Sequence, residues 1–123
     1  MTETPSREVT ERESAAVAVA PRVTLDSMKA KIAAENYFTA GEAISAIGQP
    51  HLPEHHLLTI CILTMQNGFM LIGKSAPASA ANFNAELGRK FALEDAIRQL
   101  WQLEGYALRE RLAAPDQRFK RQA

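Results

Sequence analysis

The 123-residue sequence predicts a small α+β protein, and three of its features carry that prediction. Two apolar runs, at about 57–65 and 69–75, flank an Asn-Gly pair and predict an antiparallel β-hairpin. A segment from about 80 to 103 repeats apolar side chains at helical spacing. Two shorter amphipathic segments precede the hairpin. We therefore expect a small antiparallel sheet packed with a long C-terminal helix and short N-terminal helices.

The composition indicates a protein of the cytoplasm. Hydrophobic residues make up 46% and charged residues 23% of the chain, as in ordinary globular proteins. The 14 basic and 14 acidic residues balance, so nucleic-acid binding is not indicated. The single cysteine, Cys61, excludes an internal disulfide framework. No apolar run approaches the roughly 20 residues of a membrane helix, and the mixed-charge N-terminus lacks a signal-peptide pattern, so no membrane partner is expected.

A single domain is expected over residues 22–113. Residues 1–21 are polar and lack periodicity, which is typical of a disordered tail. Residues 114–123 follow the last helical pattern and are basic, so we expect a flexible C-terminal tail. Between these tails, the sequence shows no internal repeat.

The region before the hairpin predicts two short helices. The first continues to about Glu35 on its apolar spacing, and "NYF" after it is compatible with a brief strand. The second begins at Thr39, because Thr39 and Glu42 have the spacing of a capping box. It ends at Gly48, since glycine favours the left-handed conformation after a helix.

The turn of the hairpin sets the predicted strand register. Asn67-Gly68 predicts a two-residue type I′ turn, in which both positions have positive φ. With Gln66 opposite Phe69, the register pairs Met65 with Met70, Leu63 with Ile72 and Cys61 with Lys74. Both faces of the hairpin are then largely apolar. Because a two-stranded ribbon cannot easily bury both faces, we predict a homo-oligomer.

The long helix is expected to begin after Ser79 as its N-cap. Its predicted core stripe consists of Phe83, Leu87, Phe91, Leu93, Ile97, Leu100 and Trp101. Gly88 costs about 1 kcal/mol relative to alanine within a helix. We therefore expect it to permit the close approach of a ligand, a strand or a neighbouring helix. Gly105 suits a C-cap or a kink.

The start of this helix is also a candidate binding segment. Its first backbone N–H groups are unpaired and attract anions. Asparagines suit an adenine edge, phenylalanines stack on bases, and basic side chains bind phosphate. The candidate ligand-binding residues are Phe69, Lys74, Asn82, Phe83, Asn84, Arg89 and Lys90. In the structural alternative, the asparagines are polar residues of the first turn, Phe83 is core, and the basic pair is solvated. On pattern alone, that alternative is the stronger interpretation.

Residues with catalytic or metal-binding chemistry do not form a recognisable motif. His51, His55 and His56 share one loop, but only Glu54 accompanies them, so exposed loop histidines are favoured over a zinc site. Cys61 is expected to be a buried core thiol. No P-loop, dinucleotide fingerprint or zinc-hydrolase motif occurs. We therefore predict a protein that is not an enzyme and that has no catalytic residues, metal or cofactor.

Residues 59–109 carry several uncommon motifs in a fixed order. They are a "TIC" strand, an "NGF" turn, "GKS", then "NFNAELGRK" and finally "WQLEGY". In this order they resemble a family of small phage proteins described after gene product 49 of one phage and gene 66 of another. The same pattern is similar to the type I Thoeris anti-defence proteins of phages.

This resemblance implies a binding function in an infected bacterial host cell. The type I Thoeris anti-defence proteins are not enzymes. They sequester a cyclic ADP-ribose signal made by a bacterial TIR-domain defence enzyme, and they assemble as multimers of dimers. Some also hold cyclic oligonucleotides at a separate site. The resemblance thus implies a protein that sequesters a cyclic ADP-ribose isomer without cleaving it, which we call a sponge. It also implies a cyclic di- or trinucleotide as a further ligand.

Two other functions stay open at this point. A phage accessory protein that inhibits a host protein directly would keep an exposed apolar patch on its hairpin. A small nucleic-acid-binding protein would show affinity that falls steeply with salt. The residues it would use are Arg89, Lys90, Arg98, Arg109, Arg111 and the tail "RFKRQ".

Overall fold

The structure, a computed structural model, describes residues 21–113. These residues fall into two compact units, one of residues 21–30 and 101–113 and the other of residues 31–100. Apart from Pro21, both predicted tails lie outside the described residues. The single domain expected between the tails stays a prediction.

The architecture is α+β, as the sequence predicts. The three strands form one antiparallel sheet in the order β1-β2-β3, followed by a long helix. In chain order the elements are α1 (Leu25–Lys29), β1 (Ile32–Thr39), α2 (Ala40–Ala46), a 3-10 turn (Pro53–Leu57), β2 (Thr59–Met65), β3 (Met70–Ser75), a second 3-10 turn (Ala80–Asn82) and α3 (Ala85–Ala113). The predicted hairpin and the predicted long helix are therefore both confirmed, with shifted ends. The predicted homo-oligomer stays a prediction.

The first predicted helix is too long. It ends at Lys29 rather than near Glu35, and β1 begins at Ile32. Every residue from Ala34 to Thr39 pairs with a residue of β2. Because this pairing satisfies the backbone groups of β1, it overrides the helix propensity of "KIAAE". The brief strand expected at "NYF" is the second half of β1.

The second predicted helix, α2, is confirmed. The Thr39 hydroxyl accepts the Glu42 N–H at 3.1 Å, and Glu42 Oε1 accepts the Thr39 N–H at 3.3 Å. These two bonds form the capping box that the spacing predicts. Gly48 follows the helix with a φ of 73°, a conformation that favours glycine.

The hairpin turn differs from the predicted type I′ turn. The Met65 N–H donates to the Phe69 carbonyl at 2.8 Å, and the Gly68 N–H donates to the Met65 carbonyl at 2.9 Å. Gly68 has a φ of 88°, whereas Asn67 does not have a positive φ. These features describe a three-residue connection, in which a type I turn is followed by one left-handed residue. A single glycine meets that requirement.

The longer turn shifts the predicted register of β3 by one residue. The observed pairs are Thr64 with Met70, Leu63 with Leu71, Ile62 with Ile72, Cys61 with Gly73 and Ile60 with Lys74. Because strand side chains alternate between faces, this shift exchanges the two faces of β3. Leu71 and Gly73 are buried, while Ile72 is 57% exposed.

Helix α3 contacts the sheet of the 31–100 unit through small residues. A Cβ atom at Gly73 would overlap the Ala92 carbonyl oxygen and would lie 2.8 Å from the Ala96 nitrogen. The predicted core stripe is correct at its C-terminal end, where Ile97 and Leu100 are buried. It is wrong nearer the start, because the alanines take the buried positions. Two members of the predicted stripe, Leu87 and Phe91, are 46% and 47% exposed.

Side chains of α3 also satisfy the outer edge of β3. The Asp95 carboxylate accepts the backbone N–H of Lys74 at 3.0 Å. The Gln99 amide donates to the Ile72 carbonyl at 2.8 Å. An edge strand otherwise presents unpaired backbone groups to solvent or to another chain. Helix α3 thus closes part of this edge without a fourth strand.

Helix α3 continues past Gly105, where the sequence suggests a C-cap or a kink. Gly105 has no positive φ, and the helix ends at Ala113. None of the helices in residues 21–113 is long and apolar enough to cross a membrane.

Candidate functional site

A cavity of about 370 Å³ lies where β1 ends, β2 begins and α3 begins. Its volume is within the range of about 300–1,000 Å³ that small-molecule sites occupy. It is lined by Tyr37, Phe38, Thr39, Glu42, His56, Thr59, Phe83, Ala85 and Arg89. All of these residues belong to the 31–100 unit. Aromatic, hydroxyl and oppositely charged side chains therefore converge on one cavity.

The strands contribute hydroxyl groups to the cavity. Thr39 and Thr59 are cross-strand partners at the end of β1 and the start of β2. Thr59 is only 3% exposed, and no described residue hydrogen-bonds to its hydroxyl. The Tyr37 hydroxyl donates to Glu35 Oε1 at 2.8 Å. Burial, with this bond to Glu35, raises the pKa of Tyr37 well above its ordinary value, so Tyr37 remains a neutral hydroxyl.

The segment after β1 forms a second side of the cavity, which we call the polar wall (Thr39, Glu42 and His56). The Thr39–Glu42 capping box holds the first two residues together, with the Thr39 hydroxyl donating to Glu42 Oε1 at 3.0 Å. The His56 ring packs on Gly41, where an added Cβ would lie 2.5 Å from the ring. The ring of His51 meets that of His56 edge-on, with centroids 5.0 Å apart. Close packing thus positions the polar wall.

The start of α3 forms the third side of the cavity. The chain is extended at Phe83, with φ −69° and ψ 130°, so the 3-10 turn and α3 are separate elements. Asn84 Oδ1 accepts the Leu87 N–H at 3.0 Å and caps the helix. This corrects the expectation of Ser79 as the cap, because Ser79 instead precedes the 3-10 turn. Arg89 follows one turn later and lines the cavity.

Gly88 determines how closely α3 approaches β2 beside the cavity. A Cβ atom at Gly88 would lie 2.6 Å from Thr59 Oγ1. The predicted close approach at Gly88 is therefore to a strand. Because Thr59 and Arg89 both line the cavity, this contact also sets their separation.

The predicted ligand-binding residues are divided between several places. Phe83 and Arg89 line the cavity together. Asn84 is engaged as a helix cap, which agrees with the structural alternative for that residue. Asn82 and Lys90 are exposed and do not line the cavity.

The other two predicted residues lie elsewhere on the sheet. Phe69 is at the hairpin turn, beyond the end of β2 that is opposite Thr59. Six residue steps of strand separate those two ends, or about 20 Å. Lys74 lies on β3, which contributes no residue to the lining of the cavity. The cavity therefore does not bring Phe69 or Lys74 to Phe83.

Sequence reasoning missed most of the residues that line the cavity. Tyr37 and Phe38 fall in the brief strand expected at "NYF", but that pattern assigned neither of them to a site. Thr39 and Glu42 were interpreted only as a helix start, and His56 only as an exposed loop histidine. A useful signal was available, since a Thr-x-x-Glu box and three histidines occur within residues 39–56.

Within the described part of the chain, no group of three or more His, Cys, Asp or Glu side chains is placed to hold a metal ion. Burial raises the pKa of the Cys61 thiol, and Cys61 is fully buried on the inner face of β2. Its burial agrees with the expectation of a core thiol.

Comparison with known proteins identifies a family. No curated protein and no solved structure matches the chain. One family model matches residues 23–112, which include all three strands and every residue that lines the cavity. The chain therefore belongs to the phage protein (N4 Gp49/phage Sf6 gene 66) family.

Proposed function

We propose that this phage protein binds a cyclic nucleotide immune signal, a cyclic ADP-ribose isomer, and sequesters it without cleaving it. One observation carries the proposal. The motif "NFNAELGRK", on which the resemblance to the type I Thoeris anti-defence proteins partly rests, supplies Phe83 and Arg89 to the same cavity. Family membership supports a phage protein, and the resemblance supports this class of ligand.

The chemistry of the cavity suits a nucleotide. An aromatic ring stacks on a base through its face, and Phe83 and Tyr37 provide such rings. A guanidinium pairs with phosphate oxygens through two parallel hydrogen bonds, and Arg89 provides one. The hydroxyls of Thr39 and Thr59 add neutral hydrogen-bonding groups.

Sequestration places limited demands on such a site. It requires tight binding through stacking, hydrogen bonds and charge neutralisation, and it returns the ligand unchanged. His56 and Glu42 also line the cavity, and these residue types act as general acids and bases in enzymes. A test must therefore determine whether the bound ligand is recovered intact. A recovered intact nucleotide would support a sponge, and a cleaved one would indicate an enzyme.

We also propose that the protein acts as a homo-oligomer in the infected cell. The sheet face that carries Met70 and Ile72 also carries Lys74, but these two apolar side chains are 63% and 57% exposed. Ile60 and Ile62 lie on the same face of β2 and are partly exposed. A second copy of the chain would cover this patch with an equally apolar one. Light scattering on the purified protein measures this directly, and a monomer at micromolar concentration would contradict it.

Calorimetry with cyclic ADP-ribose isomers tests the binding proposal. We expect the wild-type protein to bind at least one isomer. Arg89→Ala should weaken affinity by about tenfold to a hundredfold, as expected for the loss of a charged hydrogen bond. Lys90→Ala is the matched control, because Lys90 carries the same charge one residue away but does not line the cavity. It should change affinity by less than about threefold.

The outcomes separate the proposal from its alternatives. Mass spectrometry of ligand released by denaturation should give intact nucleotide. A folded protein that binds no isomer would contradict sequestration, and capture of one host protein without nucleotide would favour direct inhibition. Affinity for DNA or RNA that falls steeply with salt would favour a nucleic-acid-binding function.

A further inference from the structure

We propose that Glu42 accepts hydrogen bonds from ribose hydroxyls and so makes the cavity selective for ligands whose ribose hydroxyls are free. This inference rests on the proposed nucleotide-binding function and assigns a role to the polar wall. All three residues of the polar wall precede residue 59, so the motifs that carry the resemblance do not include them.

The hydrogen bonds of Glu42 leave part of its carboxylate available. Oε1 accepts from the Thr39 N–H at 3.3 Å and from the Thr39 hydroxyl at 3.0 Å. No described residue donates to Oε2 or forms an ion pair with Glu42. An ionised carboxylate only accepts hydrogen bonds, and it has about four lone-pair positions. Its complement in a ligand is therefore a donor such as a hydroxyl.

The charges of the cavity orient an anionic ligand. Arg89 comes from α3, whereas Glu42 comes from the polar wall, and within residues 21–113 neither has an ion-pair partner. A phosphate is attracted by the guanidinium and repelled by the carboxylate. A ligand that is anionic throughout fits this arrangement poorly. One that presents an anion to Arg89 and hydroxyls to Glu42 fits it well.

The connectivity of a nucleotide selects its ribose as the partner of Glu42. The ribose joins the base to the phosphate. Phe83, two residues before α3, suits the base, and Arg89, near the start of α3, suits the phosphate. A nucleotide held by these two side chains would turn its ribose toward the facing strand and polar wall. Carboxylates accept ribose hydroxyls in the same way in dinucleotide-binding folds.

The polar wall is held firmly enough to discriminate between ligands. The capping box restrains the Glu42 side chain from within its own helix. The contact between Gly41 and the His56 ring restrains the helix against the following segment. Glu42 is exposed in the unliganded protein, so the discrimination arises when a bound nucleotide excludes water from its free oxygen and a ligand without the matching hydroxyl leaves that oxygen without a donor.

The test compares three ligands on three proteins by calorimetry. The ligands are cyclic ADP-ribose and two analogues, each of which lacks the 2′-hydroxyl of one of its two riboses. The proteins are the wild type, Glu42→Gln and the matched control Glu54→Gln. Glutamine preserves a capping box, so Glu42→Gln should unfold at the wild-type temperature. Glu54 lies in the same segment, is exposed and does not line the cavity.

We expect the wild type to bind cyclic ADP-ribose about tenfold or more tightly than one of the two deoxy analogues, as for a hydrogen bond to a charged group. Glu42→Gln should lose most of that preference, because only its affinity for cyclic ADP-ribose should fall. Glu54→Gln should keep it.

Each contrary result overturns a distinct claim. A wild type that binds all of these ligands equally, or a Glu42→Gln variant that binds with an unchanged preference, would overturn the role of Glu42 and leave nucleotide binding intact. A wild type that binds no ligand would overturn both proposals. The wild-type comparison requires no variant, so poor folding of a variant cannot make the test uninformative.

Discussion

Helix α3 meets the sheet of the 31–100 unit in two ways. From Ala92 to Leu100, alanines pack directly on Gly73, and Asp95 and Gln99 bind the edge of β3. We call this the filled region. From Ala85 to Arg89, the same helix instead borders a cavity of about 370 Å³, which we call the open region. One continuous helix therefore provides both the packed core and one side of the candidate site.

Both regions use a glycine for close approach, but the obstacle differs. In the filled region the glycine is on the strand, and the atoms that face Gly73 belong to the helix backbone. In the open region the glycine is on the helix, and the atom that faces Gly88 belongs to the Thr59 side chain. A backbone cannot move without shifting the element, whereas a side chain can rotate. The filled region should therefore tolerate far less change.

The largest expected effect follows from Gly73→Ala. The new methyl group would overlap the Ala92 carbonyl, so the helix would have to move away from β3. We expect the free energy of unfolding to fall by about 3 kcal/mol or more, as measured by urea denaturation. Gly105→Ala is the control, because nothing lies within 4 Å of its Cβ position. It should stabilise the helix by about 0.5–1 kcal/mol, and a Gly73→Ala protein as stable as the wild type would contradict the comparison.

A smaller loss is expected from Asp95→Ala. This change leaves the Lys74 backbone N–H at the edge of β3 without its acceptor and removes the ion pair with Arg98. We expect a loss of about 1–2 kcal/mol. Hydrogen exchange of the Lys74 amide should accelerate. The neighbouring exposed Glu94→Ala should change stability by less than about 0.5 kcal/mol, and equal losses from both variants would remove the assigned role of Asp95.

Alkaline pH should destabilise the protein through two neighbouring acidic groups, Cys61 opposite Gly73 and Tyr37 beside the cavity, which are cross-strand partners. Burial raises the pKa of both groups above their ordinary values of 9.0 and 10.0. The unfolded chain therefore ionises first. The stabilisation is fully present below those ordinary values and is lost as pH rises above them. We expect a decline of at most about 1.4 kcal/mol per pH unit for each group.

Denaturation at a series of pH values measures this decline. Cys61→Ala should flatten the part that begins near the ordinary pKa of cysteine. Tyr37→Phe should flatten the part that begins near the ordinary pKa of tyrosine. It should leave the cysteine part at least as steep, because the hydrogen bond from Tyr37 lowers the pKa of Cys61. A wild-type free energy of unfolding that stays constant through both pH ranges would show that folding raises the pKa of neither group.

The smallest effect on stability is expected for Gly88→Ala. The methyl group must displace Thr59 Oγ1, but alanine also gains about 1 kcal/mol of helix propensity over glycine. These contributions oppose each other, so the free energy of unfolding should change by less than about 1 kcal/mol. Affinity for cyclic ADP-ribose should nevertheless fall, because Thr59 and Arg89 are separated. Unchanged affinity, measured by calorimetry with Gly105→Ala as the control, would mean that Gly88 does not shape the cavity.

Local patterns predicted the elements that depend on their own residues. The capping box at Thr39 and Glu42 forms as its spacing indicates, because its partners are three residues apart. The hairpin forms at Asn67-Gly68 for a similar reason, although only Gly68 adopts a positive φ. The register of β3 was predicted wrongly, since a turn longer by one residue satisfies the same sequence.

The candidate site was predicted only in part for a related reason. Phe83 and Arg89 were found because both lie in one contiguous motif. Tyr37, Glu42 and Thr59 are distant from that motif in sequence. They join it because β1 pairs with β2 and because Gly88 lets α3 approach Thr59.

By itself, the sequence determined the α+β class, the hairpin, the long helix and the capped start of α2, since each depends on contacts between near neighbours in the chain. The tertiary structure alone decided that residues 32–35 enter strand β1, that Leu71 and Gly73 face the core, and that the polar wall lines one cavity with Phe83 and Arg89. Those outcomes depend on hydrogen bonds and packing between distant segments, which overrule the weaker local preferences of the chain.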